Sequence, residues 1–318
     1  MPTTSESTIL RVIVAGLGVQ GRKRQRIAGA DVVATVDPVV AEADYRQIED
    51  VPLDGFDAAL ICVPDHVKLE ALTYLLSNGK HALVEKPLIA PEETSLMALD
   101  ELARRQGAVC YTAYNHRFEP HFTRLRDAVA SGVLGTIYRA RFFYGNGTAR
   151  DVAQSRWRDH GAGVLPDLGS HLLDTLLFVF ADPPSDFRLW AARRFETAAP
   201  DHVICAADGP PLIELEMSLV SWRNHFAADV YGERGSAHID SLCKWGPSTF
   251  TLRRRVLPSG RPREESVVLS QSDPTWELEY AHFKRLCAEG GPGNVDNDLW
   301  INRVLGALSG EATAEATR

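Results

Sequence analysis

The chain has 318 residues, 45% of them hydrophobic and 24% charged, enough to bury a large core and long enough for two domains. Its formal net charge of −8 argues against a nucleic acid or an anionic membrane as partner. Five cysteines, widely spaced and never in a C-x-x-C pair, fit reduced buried thiols rather than a disulfide framework or a metal site. Met1 to Thr8 is polar without an apolar signal-peptide core, and no later stretch has the uncharged length of a membrane span, so the expectation is a cytoplasmic protein with a frayed start at 1–8.

Ile9 to Ala15 is a β-branched apolar run that ends in Gly16-Leu17-Gly18-Val19-Gln20-Gly21, with a helix expected from Arg22 to Ala28. In a strand, glycine turn and helix of this kind, the first glycine permits the turn and the second lets backbone approach a pyrophosphate. The third allows close packing, and the helix N-terminus favours negative charge. Asp31 to Asp37 reads as a second strand ending in an acid, 16 residues after Gly21. That is near the roughly 20 expected of a carboxylate that binds adenosine ribose hydroxyls, and it favours NAD. Arg22, Lys23 and Arg24 keep NADP open, because they could hold a 2′-phosphate.

Ala58 to Val63 is a continuous apolar run, as in a parallel strand covered on both faces. Pro64-Asp65 then opens a helix from His66 to Ser77, and His81 to Val84 forms a strand ending at Glu85-Lys86-Pro87. A helix from Glu92 to Gln106 and a strand from Ala108 to Thr112 follow. Alternating strands and helices imply a doubly wound parallel sheet. Ligands of such sheets lie beyond the carboxyl ends of the strands, at Lys86 and the Tyr114-Asn115-His116-Arg117-Phe118 turn.

After Pro120 the pattern changes to a helix from His121 to Ser131, a strand from Thr136 to Tyr144, and then the stretch Gly161 to Phe180. There Asp167, His171 and Asp174 have the i, i+4, i+7 spacing of one helix face, and Leu172, Leu173, Leu176, Leu177 and Phe180 cover the other sides. The spacing leaves two readings open: a core histidine bridging two carboxylates, or polar groups lining a site. From Phe187 onward strands dominate: Arg188 to Phe195, Leu212 to Val220, Asn224 to Tyr231, Ser236 to Ile239, and Phe250 to Leu257 with Ser266 to Leu269. Together they predict an open antiparallel or mixed sheet with helices on one face. The basic run Arg253-Arg254-Arg255, with Arg261 and Arg263, reads as a solvated hairpin. Helices from Thr275 to Ala288 and Asp298 to Leu308 close the fold, with a tail over 311–318.

Four landmarks now stand in order: the glycine turn, the Glu85-Lys86-Pro87 triplet, Asn115-His116-Arg117-Phe118, and a glycine-rich turn leading to Asp167-x-x-x-His171-x-x-Asp174. On them the chain resembles, over nearly its full length, the glucose-fructose oxidoreductase, inositol dehydrogenase and rhizopine-catabolism (Gfo/Idh/MocA) family. The resemblance implies a Rossmann dinucleotide-binding domain over 9–118 and a substrate-binding α+β domain with an open sheet over 119–310. It implies an enzyme that moves a hydride between NAD or NADP and a ring carbon of a sugar, nucleotide sugar or cyclitol. Similar proteins use the lysine of the triplet and the aspartate and histidine of the later motif, here Lys86, Asp167 and His171. The family's run of three glycines is Gly161-Ala162-Gly163 here, which is expected to narrow the pocket slightly.

Under that resemblance, Gly16, Gly18, Val19, Gln20, Gly21, Asp37, Val63, Pro64, His66, Glu85, Lys86 and Asn115 are the expected dinucleotide contacts. Lys86, Asn115, Asn146, Trp157, Arg158, His160, Asp167 and His171 are the expected substrate contacts, with Tyr144 a further candidate and Arg223, Asn224 and His225 weaker ones. His171 would pass the hydroxyl proton, Lys86 would face alkoxide charge, Asp167 would orient His171 or a neighbouring hydroxyl, and Asp174 would be a buried structural partner. No metal is expected. A bare sheet face implies a homodimer or homotetramer. Two other functions stay open: NAD-dependent glycoside hydrolysis through transient oxidation, and non-catalytic nucleotide binding.

Overall fold

The computed structural model describes residues 10–155 and 158–315, so the expectations for the first residues and for Trp157 lie outside the described residues. In chain order the elements begin with β1 (Val12–Ala15), α1 (Val19–Ala28), β2 (Val32–Val36), β3 (Ala58–Ile61), α2 (Asp65–Ser77), β4 (His81–Glu85), α3 (Glu93–Gln106) and β5 (Cys110–Ala113). Then come α4 (Pro120–Ala130), β6 (Ile137–Gly145), α5 (Ala149–Ala153), α6 (Ser170–Phe180), β7 (Arg188–Arg193), β8 (His202–Ala207) and β9 (Leu212–Ser218). The chain finishes with β10 (His225–Gly232), β11 (Gly235–Asp240), β12 (Ser248–Arg254), β13 (Arg263–Leu269), α7 (Thr275–Glu289) and α8 (Val295–Glu315). Among the described residues no helix is long and apolar enough to cross a membrane.

The chain divides into two units, one running to Tyr114 and taking in Trp276–Asn302, the other Asn115–Thr275 with the chain from Arg303. In the first unit five strands, all parallel, lie in the order β2-β1-β3-β4-β5. The strands are buried on both faces, which is why they read as unbroken apolar runs rather than alternations. Ile13, Ala59, Ile61 and Val84 face one core with Leu72, Leu75, Leu96 and Leu99 of α2 and α3. Val12, Val14, Leu60 and Leu83 face the other, where Tyr280 and Phe283 of α7 pack.

The division at 118 and 119 therefore needs amending. The sequence places both closing helices with the C-terminal sheet, but α7 supplies the apolar cover for one face of the first sheet. Polar anchors add to this, with Tyr280 and Lys284 donating to Asp31 and Asn294 bonding the backbone of Thr112. The tail expected from Glu311 is also helical as far as Glu315, and Glu311 accepts the backbone N–H of Leu189.

In the second unit eight strands form one sheet in the order β13-β12-β11-β10-β6-β9-β8-β7, with β6 and β9 parallel and the other neighbours antiparallel. Strand alternation sends Ala140, Phe142 and Tyr144 of β6 to a face covered by α4 and α6, where Phe122 meets Phe226 and Phe142 meets Phe180. The opposite row carries Arg139, Arg141 and Phe143, with Arg139 over the Tyr231 ring and Arg141 paired with Glu216. The basic run lies, as expected, in the β12–β13 hairpin, where Arg253 and Arg254 pair across strands with Glu264 and Glu265. The sequence reading has no strand at β8. Its residues His202 to Ala207 include two alanines and a cysteine between Pro200-Asp201 and Asp208-Gly209, so both propensity and pattern are weak there.

Candidate active site

In the first unit β1 ends at Gly16, which has φ +88, a left-handed conformation that glycine adopts without a Cβ penalty. A Cβ at Gly21 would collide with the Gly16 carbonyl oxygen, so this third glycine lets α1 close onto the turn. Nothing lies near the Cβ position of Gly18, and Gly18, Val19 and Gln20 are exposed at the start of α1, whose first turn carries no acid. The turn therefore has the open backbone and the uncompensated helix N-terminus that a pyrophosphate needs.

Asp37 follows β2 directly. Its carboxylate accepts from the backbone N–H groups of Leu17 at 2.8 Å and of Val39 and Val40 at 2.9 Å. Burial opposes its charge, but these amides and Arg46 outweigh it and hold the carboxyl below its ordinary value. Asp37 thus stays ionised at the place where a ribose would lie, tied to the glycine turn through Leu17. Arg24, by contrast, does not reach out for a phosphate. It is buried, donating to Glu85 and pairing with Glu279, both at 2.7 Å. Lys23 lies over the Trp276 ring, 3.7 Å from its centroid, so Arg22 is the exposed member of that basic run.

The Glu85-Lys86-Pro87 triplet is held from within. Besides Arg24 on the Glu85 carboxylate, Lys68 of α2 donates from its ammonium to the carbonyls of Glu85 at 2.6 Å and Pro87 at 2.8 Å. Lys68 is 2% exposed, and burial, only partly offset by Asp65, lowers its pKa. The peptide before Lys86 and the one after Pro87 are held in this way, which leaves the half-buried Lys86 on a rigid strand end. Val63 packs against the core, while Pro64 and His66 are exposed at the start of α2.

In the second unit the spacing Asp167, His171, Asp174 does not lie on one regular helix face. Leu165–Gly169 is a π turn that runs into α6, so Asp167 leaves the α-helical register. Asp174, 1% exposed, receives a forked pair of hydrogen bonds from Arg117 at 2.7 to 3.0 Å. Burial pushes the Asp174 carboxyl up and Arg117 pulls it back. Asp167 is half-buried and pairs with Arg158 at 3.4 Å. His171 is buried, its ring stacked on that of His116 with centroids 4.1 Å apart and planes 19° apart.

Tyr144 packs against both rings, at 5.4 Å from His116 and 5.8 Å from His171, and Trp245 lies 5.8 Å from it. Burial pushes the Tyr144 phenol up, and the charge of Asp167 adds to it. Lys244 brings its ammonium within 3.1 Å of His116 Nε2. The backbone leading here is specific: Gly163 has φ +56, and a Cβ there would collide with the Pro200 carbonyl oxygen.

Other expected contacts are differently placed. Asn115 is buried with its amide donating to Thr275 Oγ1 at 2.7 Å. Asn146 spends its carbonyl oxygen on the Thr148 N–H and hydroxyl, as a turn former does. His160 is exposed. His225 sits on the face of the sheet away from α6, with its ring 5.0 Å from Phe143. Lys244 and Trp245 have no signature in the sequence, since they come from a short 3₁₀ turn far from any motif.

A glycine turn on a parallel sheet with a lysine at a strand end, together with a histidine-bearing helix on an open mixed sheet, defines a Rossmann-type oxidoreductase of two domains. Residues 10–114 match the oxidoreductase family with an NAD-binding Rossmann fold, and residues 122–238 match the GFO/IDH/MocA C-terminal domain. The chain belongs to the Gfo/Idh/MocA family. It is 31% identical to inositol 2-dehydrogenase of Corynebacterium glutamicum strain R over 79% of this chain and 80% of that protein. It is 26% identical to the rhizopine catabolism protein MocA of Rhizobium meliloti over 57% of this chain, and spans about 61% of that relative's length. Among solved structures, levoglucosan dehydrogenase in complex with NADH shares the fold with a TM-score of 0.82 at 17% identity, covering 96% of this chain and 97% of that one.

Replacing Lys68 by Met leaves the Glu85 and Pro87 carbonyls without their buried donor, at a cost of about 1–3 kcal/mol. Urea unfolding should show that loss, and an unchanged midpoint would mean that the clamp contributes nothing.

Proposed function

We propose that the protein is a dehydrogenase that interconverts an alcohol and a ketone at a ring carbon of a sugar, nucleotide sugar or cyclitol, with NAD as its dinucleotide. The observation that carries this reading is His171, a buried imidazole whose ring stacks on His116 and packs against Tyr144, on the helix that follows the half-buried Asp167. The open glycine turn over Gly16, Gly18 and Gly21 and the exposed Val19 and Gln20 suit the dinucleotide phosphates. When bound, the nicotinamide supplies the acceptor or donor of the hydride.

The chain itself must handle the proton. In oxidation, His171 takes the proton from the carbinol oxygen and returns it in reduction. Lys86 holds its ammonium toward the developing charge on that oxygen. Asp167, kept in place by Arg158, accepts a hydrogen bond from a neighbouring ring hydroxyl. Asp174 takes no part in proton transfer, because Arg117 already occupies it. Relatives named for inositol and levoglucosan support a polyhydroxylated ring as the substrate class.

The preference for NAD rests on Asp37, an ionised carboxylate that would repel a 2′-phosphate, and on the commitment of Arg24 to Glu85 and Glu279. For assembly, we infer a homodimer or homotetramer formed through the sheet face that carries Arg139, Arg141, Phe143 and Tyr231. Its mixture of rings and internally paired charges suits burial against a second copy better than lasting exposure.

Lys86→Ala and His171→Ala should each lower kcat by about 10²- to 10⁴-fold, and in His171→Ala the NAD affinity, read by fluorescence titration, should be kept. Retained turnover in both would refute the roles assigned here. Asp37→Ser should weaken NAD binding and narrow the preference over NADP, and an unchanged ratio would remove Asp37 from cofactor selection. Light scattering at micromolar concentration should give a dimer or tetramer, against which a monomer would count.

A further inference from the structure

Two imidazoles stacked at 4.1 Å share one electrostatic environment, so a proton on either opposes a proton on the other. If His171 is to serve as the base, its neighbour must not compete for the proton. Lys244 settles that competition through hydrogen-bond chemistry. An ammonium is a donor with no lone pair, so its 3.1 Å approach to His116 Nε2 requires that nitrogen to accept. His116 is then neutral, with its proton on Nδ1, and the nearby cation further opposes a second proton.

Other side chains surround the His116 ring. Phe122 presents its ring at 5.9 Å and Tyr144 at 5.4 Å, and burial keeps the Tyr144 phenol protonated. Arg117, next in sequence, is paired with Asp174. Asp167 acts on Tyr144 by its charge and pairs with Arg158. Glu119, buried under the same turn, accepts the Cys243 N–H and thiol at 3.0 Å and feels the charges of both Lys244 and Asp273.

We propose that Lys244 is a positioning residue for the acid-base step: it holds His116 as the neutral Nδ1–H tautomer, so that within the stacked pair His171 takes the substrate proton. This rests on the reading of His171 given above. In oxidation the carbinol O–H bond breaks and an N–H bond forms on His171; a bound nicotinamide would be the two-electron acceptor, taking the hydride from the same carbon. Lys244 and His116 exchange no proton. The neutral face of His116 then lies against the imidazolium formed on His171, where a second cation would repel it.

Nitrogen NMR on the full chain without ligand tests this, with ¹⁵N-labelled histidines assigned through His116→Gln and His171→Gln. In the wild type, His116 should show an unprotonated Nε2 and a protonated Nδ1 through the range at about pH 6.5 where an unperturbed imidazole titrates. In Lys244→Met, His116 should begin to titrate, its midpoint rising by about one pH unit or more. Lys244→Arg, which keeps a cationic donor, should restore the neutral ring. The acid limb of the kcat/KM profile should be displaced in Lys244→Met and return in Lys244→Arg. The proposal is overturned by a wild-type His116 protonated on Nε2, by its titrating as an unperturbed imidazole does, or by no change in Lys244→Met. If the tautomer is as stated but no carbinol is oxidised, the dehydrogenase reading falls. If oxidation proceeds with the other tautomer, the role of Lys244 falls.

Discussion

Buried positive charge organises the first unit. Arg24 cannot shed its proton, so a guanidinium that is 1% exposed must be met by carboxylates on every element around it. Glu85 at the end of β4 and Glu279 on α7 meet it, and with Arg24 on α1 they lock three elements to one another. Lys68 adds a second buried cation on the other side of the triplet, spending its donors on main-chain carbonyls. The strand end bearing Lys86 is therefore held by buried cations on both sides.

The second unit reaches similar rigidity by other means. Arg117 and Asp174 form a forked pair in the interior, and the rings of His116, His171, Tyr144 and Trp245 lie against one another. The π turn at Leu165–Gly169 separates the roles of two acids that a regular helix would have aligned. It leaves Asp167 half-buried and sends Asp174 into the core.

Much of the fold was legible in the sequence because the features concerned are local. The parallel strands announce themselves as apolar runs such as Ala58 to Ile61, and the glycine turn by its spacing. What was not legible depends on distant pairing or on a small break in period. Arg24 reads as one of three cations that could hold a 2′-phosphate, and only Glu85 and Glu279, both distant in the chain, turn it inward. The closing helix α7 carries an ordinary amphipathic pattern that does not say which sheet it covers. Asp174 and Arg117 were both singled out, but 57 residues separate them and nothing local links them. Lys244 had no signal at all, because its meaning lies in which ring nitrogen it reaches. The π turn was hidden because Pro166 and Gly169 fit a helix start as well as a widened turn.

The central claim is that the chain carries out net hydride transfer from a ring carbon. The most direct measurement offers the purified protein NAD and a panel of cyclitols, anhydrosugars and nucleotide sugars deuterated at the ring carbons, and follows both the reduced dinucleotide and its isotope content. Accumulation of reduced dinucleotide carrying substrate deuterium is the expected result. A glycosidic bond cleaved with no net reduced dinucleotide, or no transfer from any member of the panel, would contradict it.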